Sequence, residues 1–243
     1  MKTFKKLFAA ALLAVMPAMA WASGAAVHLD QAPVNLEDQA SLQRGVKLFT
    51  SRCLACHSAA SMRYNRLHDI GMSDDEIKTK LELPEDVKVG STMQAAMDAN
   101  SAKLAYGVAP PDLSVISRSR SADWLYTYLR SFYVDTNRPT GWNNAAFPNV
   151  GMPHALADLQ GEQHLVVENH EGHETKKLEL ATPGSMTTAE YDAAVGDLVN
   201  YLVFMGEPAK LVRYKLGMIV LGFLAVLFVL IYALKKEMWR DIH

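Results

Sequence analysis

The chain has 243 residues, 50% of them hydrophobic and 21% charged, an ordinary composition for a globular protein. Its formal net charge is −2, but residues 23–209 carry 24 acidic against 15 basic side chains, a balance of −9. So acidic a body would repel nucleic acid and anionic lipid, which excludes both as partners of its surface.

The N-terminus sets the compartment. Met1-Lys2-Thr3-Phe4-Lys5-Lys6 is basic, an apolar run follows to Met16, and Pro17-Ala18-Met19-Ala20-Trp21-Ala22-Ser23 ends it with small residues. This is the pattern of a secretory signal over residues 1–22, cut near Ala20 or Ala22. The apolar run is short of the ~20 residues that span a bilayer, so the expectation is export rather than a retained N-terminal anchor.

Residues 39–52 place Leu42, Val46, Leu48 and Phe49 at helical spacing and lead into Cys53-Leu54-Ala55-Cys56-His57. These are the only two cysteines in the chain, and Cys-x-x-Cys-His reads as the attachment site of a c-type haem. One turn carries both thiols to the two vinyl groups of a haem edge, and the adjacent His57 then reaches the iron. A disulfide closing so short a loop would stabilise little. A thioredoxin-like pair would sit beside a βαβ pattern that the surroundings lack, and zinc would need two further ligands.

Further on, Ser73-Asp74-Asp75-Glu76 caps a helix that stops before Pro84, and Ser121-Ala122-Asp123-Trp124 opens another running to about Tyr133. A low-spin electron-transfer haem needs a sixth ligand, and a Met thioether raises the potential relative to a second imidazole. Among twelve methionines the best placed is Met152, because Gly151 and Pro153 on either side make a rigid non-helical loop. Met186 has a similar setting, and bis-histidine ligation through His68 or His154 stays open. Leu165-Val166-Val167-Glu168 and Lys177-Leu178-Glu179-Leu180-Ala181 flank a polar turn and predict a β-hairpin. His170 and His173 in that turn read as solvated loop residues, not metal ligands.

Thr187-Thr188-Ala189-Glu190 is a capping box, followed by Val195, Leu198, Val199 and Leu202 at helical spacing to Met205. Glu207-Pro208-Ala209 then links this helix to Leu216–Leu234, 19 residues without a charge, long enough to cross ~30 Å of hydrocarbon. Lys235, Lys236 and Arg240 after the span favour a cytoplasmic C-terminus, although Arg213 and Lys215 flank the other side. The short link holds the haem domain close to the membrane surface.

Four segments together resemble cytochrome c1, the haem subunit of the quinol:cytochrome c oxidoreductase (cytochrome bc1) complex, in its bacterial type. They are Arg44-Gly45 leading to Cys53-x-x-Cys56-His57-Ser58, then Pro110-Pro111-Asp112-Leu113-Ser114 followed by Arg118 and Arg120, then Phe147-Pro148 with Gly151-Met152-Pro153, and the final helix and span with Arg213 and Gly217. The resemblance covers nearly the whole mature chain. It implies a mainly α, class I cytochrome c-like haem domain with long loops and a small β-hairpin, plus one C-terminal transmembrane helix. It implies His57 and Met152 as the axial pair on a single covalent haem c, a haem wall of Pro110, Pro111 and Leu113, and Arg120 on a propionate, with Arg118 as the alternative. Tyr106-Gly107 departs from it, since an Asn-Gly pair is expected ahead of the prolines.

The resulting expectation is a one-electron relay, not an enzyme on its own, that takes electrons from the Rieske iron–sulfur protein to a soluble cytochrome c beside a cytochrome b subunit. The alternative is a free-standing anchored cytochrome c that serves another respiratory enzyme. The expected organisation is a signal peptide over 1–22, a periplasmic haem domain over 23–209, a transmembrane anchor over 210–236 and a cytoplasmic tail over 237–243, in the bacterial inner membrane.

Overall fold

A computed structural model describes residues 28–170 and 173–242; the expected signal segment lies outside them. The first helix, α1 (Gln39–Arg52), starts where the Asp38 carboxylate accepts the Ser41 amide and buries Leu42, Val46 and Phe49. Its partner is α7 (Thr188–Gly206), opened by the expected capping box in which Thr187 and Glu190 satisfy each other's free amides. Both faces of α7 are needed for the core: Tyr191, Val195, Leu198, Val199, Tyr201 and Leu202 are all buried. At ~1.5–3 kcal/mol per fully buried side chain, this helix supplies much of the domain's cohesion.

The α1–α7 crossing depends on Gly45. A Cβ there would lie 2.1 Å from the Asp197 carbonyl oxygen and 2.7 Å from the Tyr201 Cβ, so only glycine lets the two backbones meet. Beside the crossing, Arg44 grips the Asp197 carboxylate with two hydrogen bonds of 2.6 and 3.0 Å. Asn200, fully buried on α7, accepts the Asn35 amide and donates to the Asn35 carbonyl, which ties the N-terminal segment to the same helix.

Around this pair lie short elements: β1 (Ala59–Arg63), a 3-10 turn (Tyr64–Ile70), α2 (Asp74–Lys80), β2 (Thr92–Met93), α3 (Ala99–Tyr106), α4 (Ile116–Arg120), α5 (Ala122–Arg130), β3 (Phe132–Val134), β4 (Trp142–Asn144) and α6 (Ala157–Gln160). The β1–β2 and β3–β4 pairs are antiparallel and were not expected from the sequence. Helix α2 ends at Lys80, where Glu82 takes a positive φ of 51°, short of Pro84. Helix α5 ends at Arg130, not Tyr133, because Phe132-Tyr133-Val134 is β-favouring and pairs with Trp142–Asn144.

The predicted hairpin exists and is longer than the pattern suggested. β5 (Gly161–His170) pairs antiparallel with β6 (His173–Pro183), while turn residues 171 and 172 lie outside the described residues. The last long helix, α8 (Lys210–Met238), has 29 residues, none of them buried, and extends the predicted apolar run at both ends. At ~1.5 Å per residue it exceeds ~30 Å of hydrocarbon. A final 3-10 turn covers Arg240–Ile242. The fold is mainly α, with small hairpins and one apolar C-terminal helix, as expected.

Candidate functional site

Helix α1 delivers its C-terminus straight into a tight turn. The amides of Cys56 and His57 both reach the Cys53 carbonyl, at 3.1 and 2.8 Å, so Cys53, Cys56 and His57 face one cavity. The two thiols are not bonded to each other. Burial pushes the Cys53 thiol up to about 12, a neutral group unlike the low-pKa thiolate of a redox pair.

The Pro110–Ser114 segment is clipped along this turn by backbone and carboxylate. Leu113 donates its amide to the Ser58 carbonyl at 2.8 Å, and Asp112 accepts the amides of Ala60 and Ser114, each at 2.8 Å. Burial works against the Asp112 charge, yet these bonds and the Ser114 hydroxyl hold its carboxyl below the usual range. The clip brings the Pro111 carbonyl 2.8 Å from His57 Nδ1. A carbonyl can only accept, so Nδ1 carries the proton and Nε2 is left with the lone pair that a metal ion needs. Burial lowers the His57 pKa, although the Pro111 bond and Asp112 oppose it.

The cavity has a volume of about 480 Å³, within the ~300–1,000 Å³ of pockets that enclose a small organic group. All eight residues singled out from the sequence line it: Cys53, Cys56, His57, Pro110, Pro111, Leu113, Arg120 and Met152. Leu198 and Leu202 of α7, and Trp124, Leu125 and Tyr128 of α5, complete its apolar walls. Met152 is half-buried, and its Sδ accepts the Tyr128 hydroxyl at 3.4 Å. The Tyr128 ring is fixed by stacking on Trp124 at 4.8 Å and by the edge of Phe132 at 5.1 Å.

The other candidate ligands lie elsewhere. Met186 does not line the cavity; it packs against the core with its amide on the Leu159 carbonyl. His68 is exposed, and its Nε2 lies 2.7 Å from an Asp74 carboxylate oxygen. His154 is buried, stacked on Phe132 at 4.8 Å with its edge toward Trp142, and burial pushes its pKa down to about 4. Arg120 and Arg118 are also distinguished, since only Arg120 lines the cavity. Its guanidinium lies over Trp124 at 5.1 Å and Phe147 at 5.8 Å, and among the described residues no carboxylate pairs with it. Tyr106, at the departure from the resemblance, lines the cavity as well.

These residues fit a covalent haem: two thiols and a correctly protonated imidazole on one turn, a thioether on the same cavity, apolar walls and an unpaired guanidinium for a carboxylate. Sequence reasoning missed Tyr128. The available signal was its spacing of four from Trp124 on α5, which puts both rings on one helix face.

Residues 30–242 match the family model described as the Cytochrome C1 family. Across its whole length the chain is 52% identical to all of a Nitrosomonas europaea protein named ammonia monooxygenase gamma subunit. It is 48% identical to cytochrome c1 of Allochromatium vinosum over 98% of this chain and 100% of that one. Cytochrome c1 of Rhodospirillum rubrum is 29% identical over 84% of this chain and 83% of its own.

Proposed function

From the premise that the chain belongs to the cytochrome c1 family, as a haem subunit of the cytochrome bc1 complex, we propose that it relays single electrons from the Rieske iron–sulfur protein to a soluble cytochrome c. It carries one covalently bound haem c, works beside cytochrome b and the Rieske protein, and is an electron-carrying subunit, not an enzyme on its own. We assign the thioether links to Cys53 and Cys56, the axial ligands to His57 and Met152, the haem wall to Pro110, Pro111 and Leu113, and a propionate contact to Arg120. The observation that carries this assignment is the convergence of all eight on one apolar cavity.

When bound, the haem supplies one-electron exchange. The chain's own residues do the rest. Pro111 holds His57 in the tautomer that leaves Nε2 free, and Tyr128 orients the Met152 sulfur. Leu198, Leu202 and Trp124 exclude water, which helps to set the potential. The acidic surface of residues 23–209 supports a basic acceptor, whose encounter it would accelerate.

We further assign residues 1–22 to a signal peptide, 23–209 to a periplasmic haem domain, 210–236 to a transmembrane anchor and 237–243 to a cytoplasmic tail, in the bacterial inner membrane. The length and exposure of α8 and the basic residues Lys235, Lys236 and Arg240 after it support this orientation. A second reading, in which the chain also associates with an enzyme outside the complex, draws on the name of the Nitrosomonas relative.

The test is the oxidised and reduced spectrum of the purified full chain and of Met152→Leu. Wild type is expected to show the weak near-infrared charge-transfer band of a thioether on ferric haem, and the variant to lose it with much of the potential. A wild type that lacks the band or binds carbon monoxide readily removes Met152 from the axial pair. Mild solubilisation should bring down cytochrome b and the Rieske protein; recovery of an oxygenase would favour the second reading.

A further inference from the structure

Met152 follows a seven-residue loop, 145–151, that has no helix or strand of its own. Such a loop is a poor platform for an axial ligand unless something outside it holds it. No disulfide can do so, because both cysteines of the chain are in the Cys53–His57 turn.

Three side chains grip the loop instead. Asn144, with 0% of its surface exposed, accepts the amides of Ala146 and Phe147 on its Oδ1 at 2.9 and 3.0 Å. Its Nδ2 donates to the Tyr128 carbonyl at 2.8 Å. Asn143 accepts the amides of Asn144 and Asn149 at 2.9 and 2.8 Å and anchors itself by donating to Asp135 at 2.9 Å. Arg138 donates to the carbonyls of Asn149 at 2.8 Å and Val150 at 3.3 Å, and to the Asn149 side chain at 3.3 Å.

Two details accompany this grip. Asn149 sits at a φ of 64°, in the left-handed region that costs an L-residue energy and that Asn tolerates best. Arg138 leaves its buried Nε without a partner while it serves the two carbonyls. Asn144 also joins the two things that touch the ligand, since it holds both the loop that ends in Met152 and the backbone of Tyr128, whose hydroxyl meets the Met152 sulfur.

We propose that Asn143, Asn144 and Arg138 are positioning residues for the axial ligand, a side-chain clasp that keeps the Met152 loop closed over the haem cavity. This rests on the reading of Met152 as the sixth ligand. The clasp makes the loop's opening free energy a property of a few hydrogen bonds, separable from the stability of the α1–α7 core.

The experiment uses the full chain with its haem, as wild type, Arg138→Met, Arg138→Lys and Asn144→Ser. The near-infrared band and the helical circular dichroism are followed together through a guanidinium titration, and carbon monoxide is added to the reduced protein. In wild type the two signals should vanish together. In Arg138→Met the band should vanish first, with helicity intact, and carbon monoxide uptake should rise by at least about ten-fold, the factor expected when even one hydrogen bond of ordinary net strength is lost from a local opening equilibrium. Arg138→Lys, which keeps a donor, should fall between them. If band and helicity still coincide in Arg138→Met, with carbon monoxide uptake at the wild-type level, the clasp is refuted even should Asn144→Ser fail to fold. A wild type without the band would instead overturn the ligand reading beneath it.

Discussion

Changing Tyr128 to Phe removes one hydroxyl from the cavity wall and leaves the ring in its slot between Trp124 and Phe132. That hydroxyl is a neutral donor, since burial raises its pKa above the ordinary phenol value, and it points at the Met152 sulfur from 3.4 Å. Donation to the thioether withdraws density that would otherwise stabilise oxidised iron, so it favours the reduced state. A neutral hydrogen bond has a net worth of ~0.5–1.5 kcal/mol, and a long one to sulfur belongs in the lower half of that range. Only the part of this energy that differs between oxidation states moves the potential, so at about 59 mV per ~1.4 kcal/mol for one electron the fall is at most ~20–40 mV. A potentiometric titration of the full chain reads this directly, with the near-infrared band as the control that Met152 is still bound. An unchanged or raised potential with the band retained would refute the reasoning.

Gly45→Ala should destabilise the fold by about 2–3 kcal/mol through overpacking at the α1–α7 crossing, a fall in Tm of roughly 5–10 °C by calorimetry, with the haem spectrum of the folded fraction unchanged. Arg120→Gln removes an unpaired cation from the cavity and should lower the potential by tens of mV at most, on the order expected of a partly exposed charge; Arg118→Gln should leave it unchanged, and salt should shrink the difference. The Glu190 carboxyl is held below its usual range by the backbone amide and hydroxyl of Thr187, so its contribution is present above the ordinary carboxylate pKa and lost as pH falls through the lower folded value. In Glu190→Gln that acid-dependent loss should disappear from the unfolding profile of α7, read by circular dichroism. A flexible insertion after Pro208 should cut quinol-dependent turnover of the membrane complex and leave spectrum and potential at wild-type values, because it alters only how α7 joins α8.

What could be read from the sequence was what the chain encodes over a few residues. The capping boxes at Ser73–Glu76 and Thr187–Glu190 form with both halves in place, because each satisfies its free amides within one turn. The apolar run beginning at Leu216 needed no partner to be recognised as a long helix. By contrast, β1–β2 and β3–β4 have strands of two to five residues, too short to show an alternation, and they exist only through pairing across the fold. The helix expected to reach Tyr133 stops at Arg130 for the same reason: Phe132 follows the helical apolar pattern, but its backbone goes to Asn144.

On the proposed ligand assignment, the candidate site divides along the same line. Cys53, Cys56 and His57 are legible because thioether attachment requires both thiols and the imidazole within one turn, which fixes their spacing. Met152 is not legible in that way, since a sixth ligand can come from anywhere in the chain, and it takes the Gly-Met-Pro setting and the family resemblance to select it. The groups that hold it are less legible still. Asn143 and Asn144 read in sequence as ordinary turn residues after Gly141 and Trp142. Arg138 reads as a surface charge, and Tyr128 as one more aromatic on α5. Apart from the Asn144 bonds to the amides two and three residues on, their roles come from groups six to twenty-four positions away: Asn149, Val150, the Tyr128 carbonyl and the Met152 sulfur. On this assignment the attachment of the haem is written locally, whereas the control of its second ligand rests largely on tertiary hydrogen bonds, and substitutions that retune this carrier without unfolding it should concentrate in the second group.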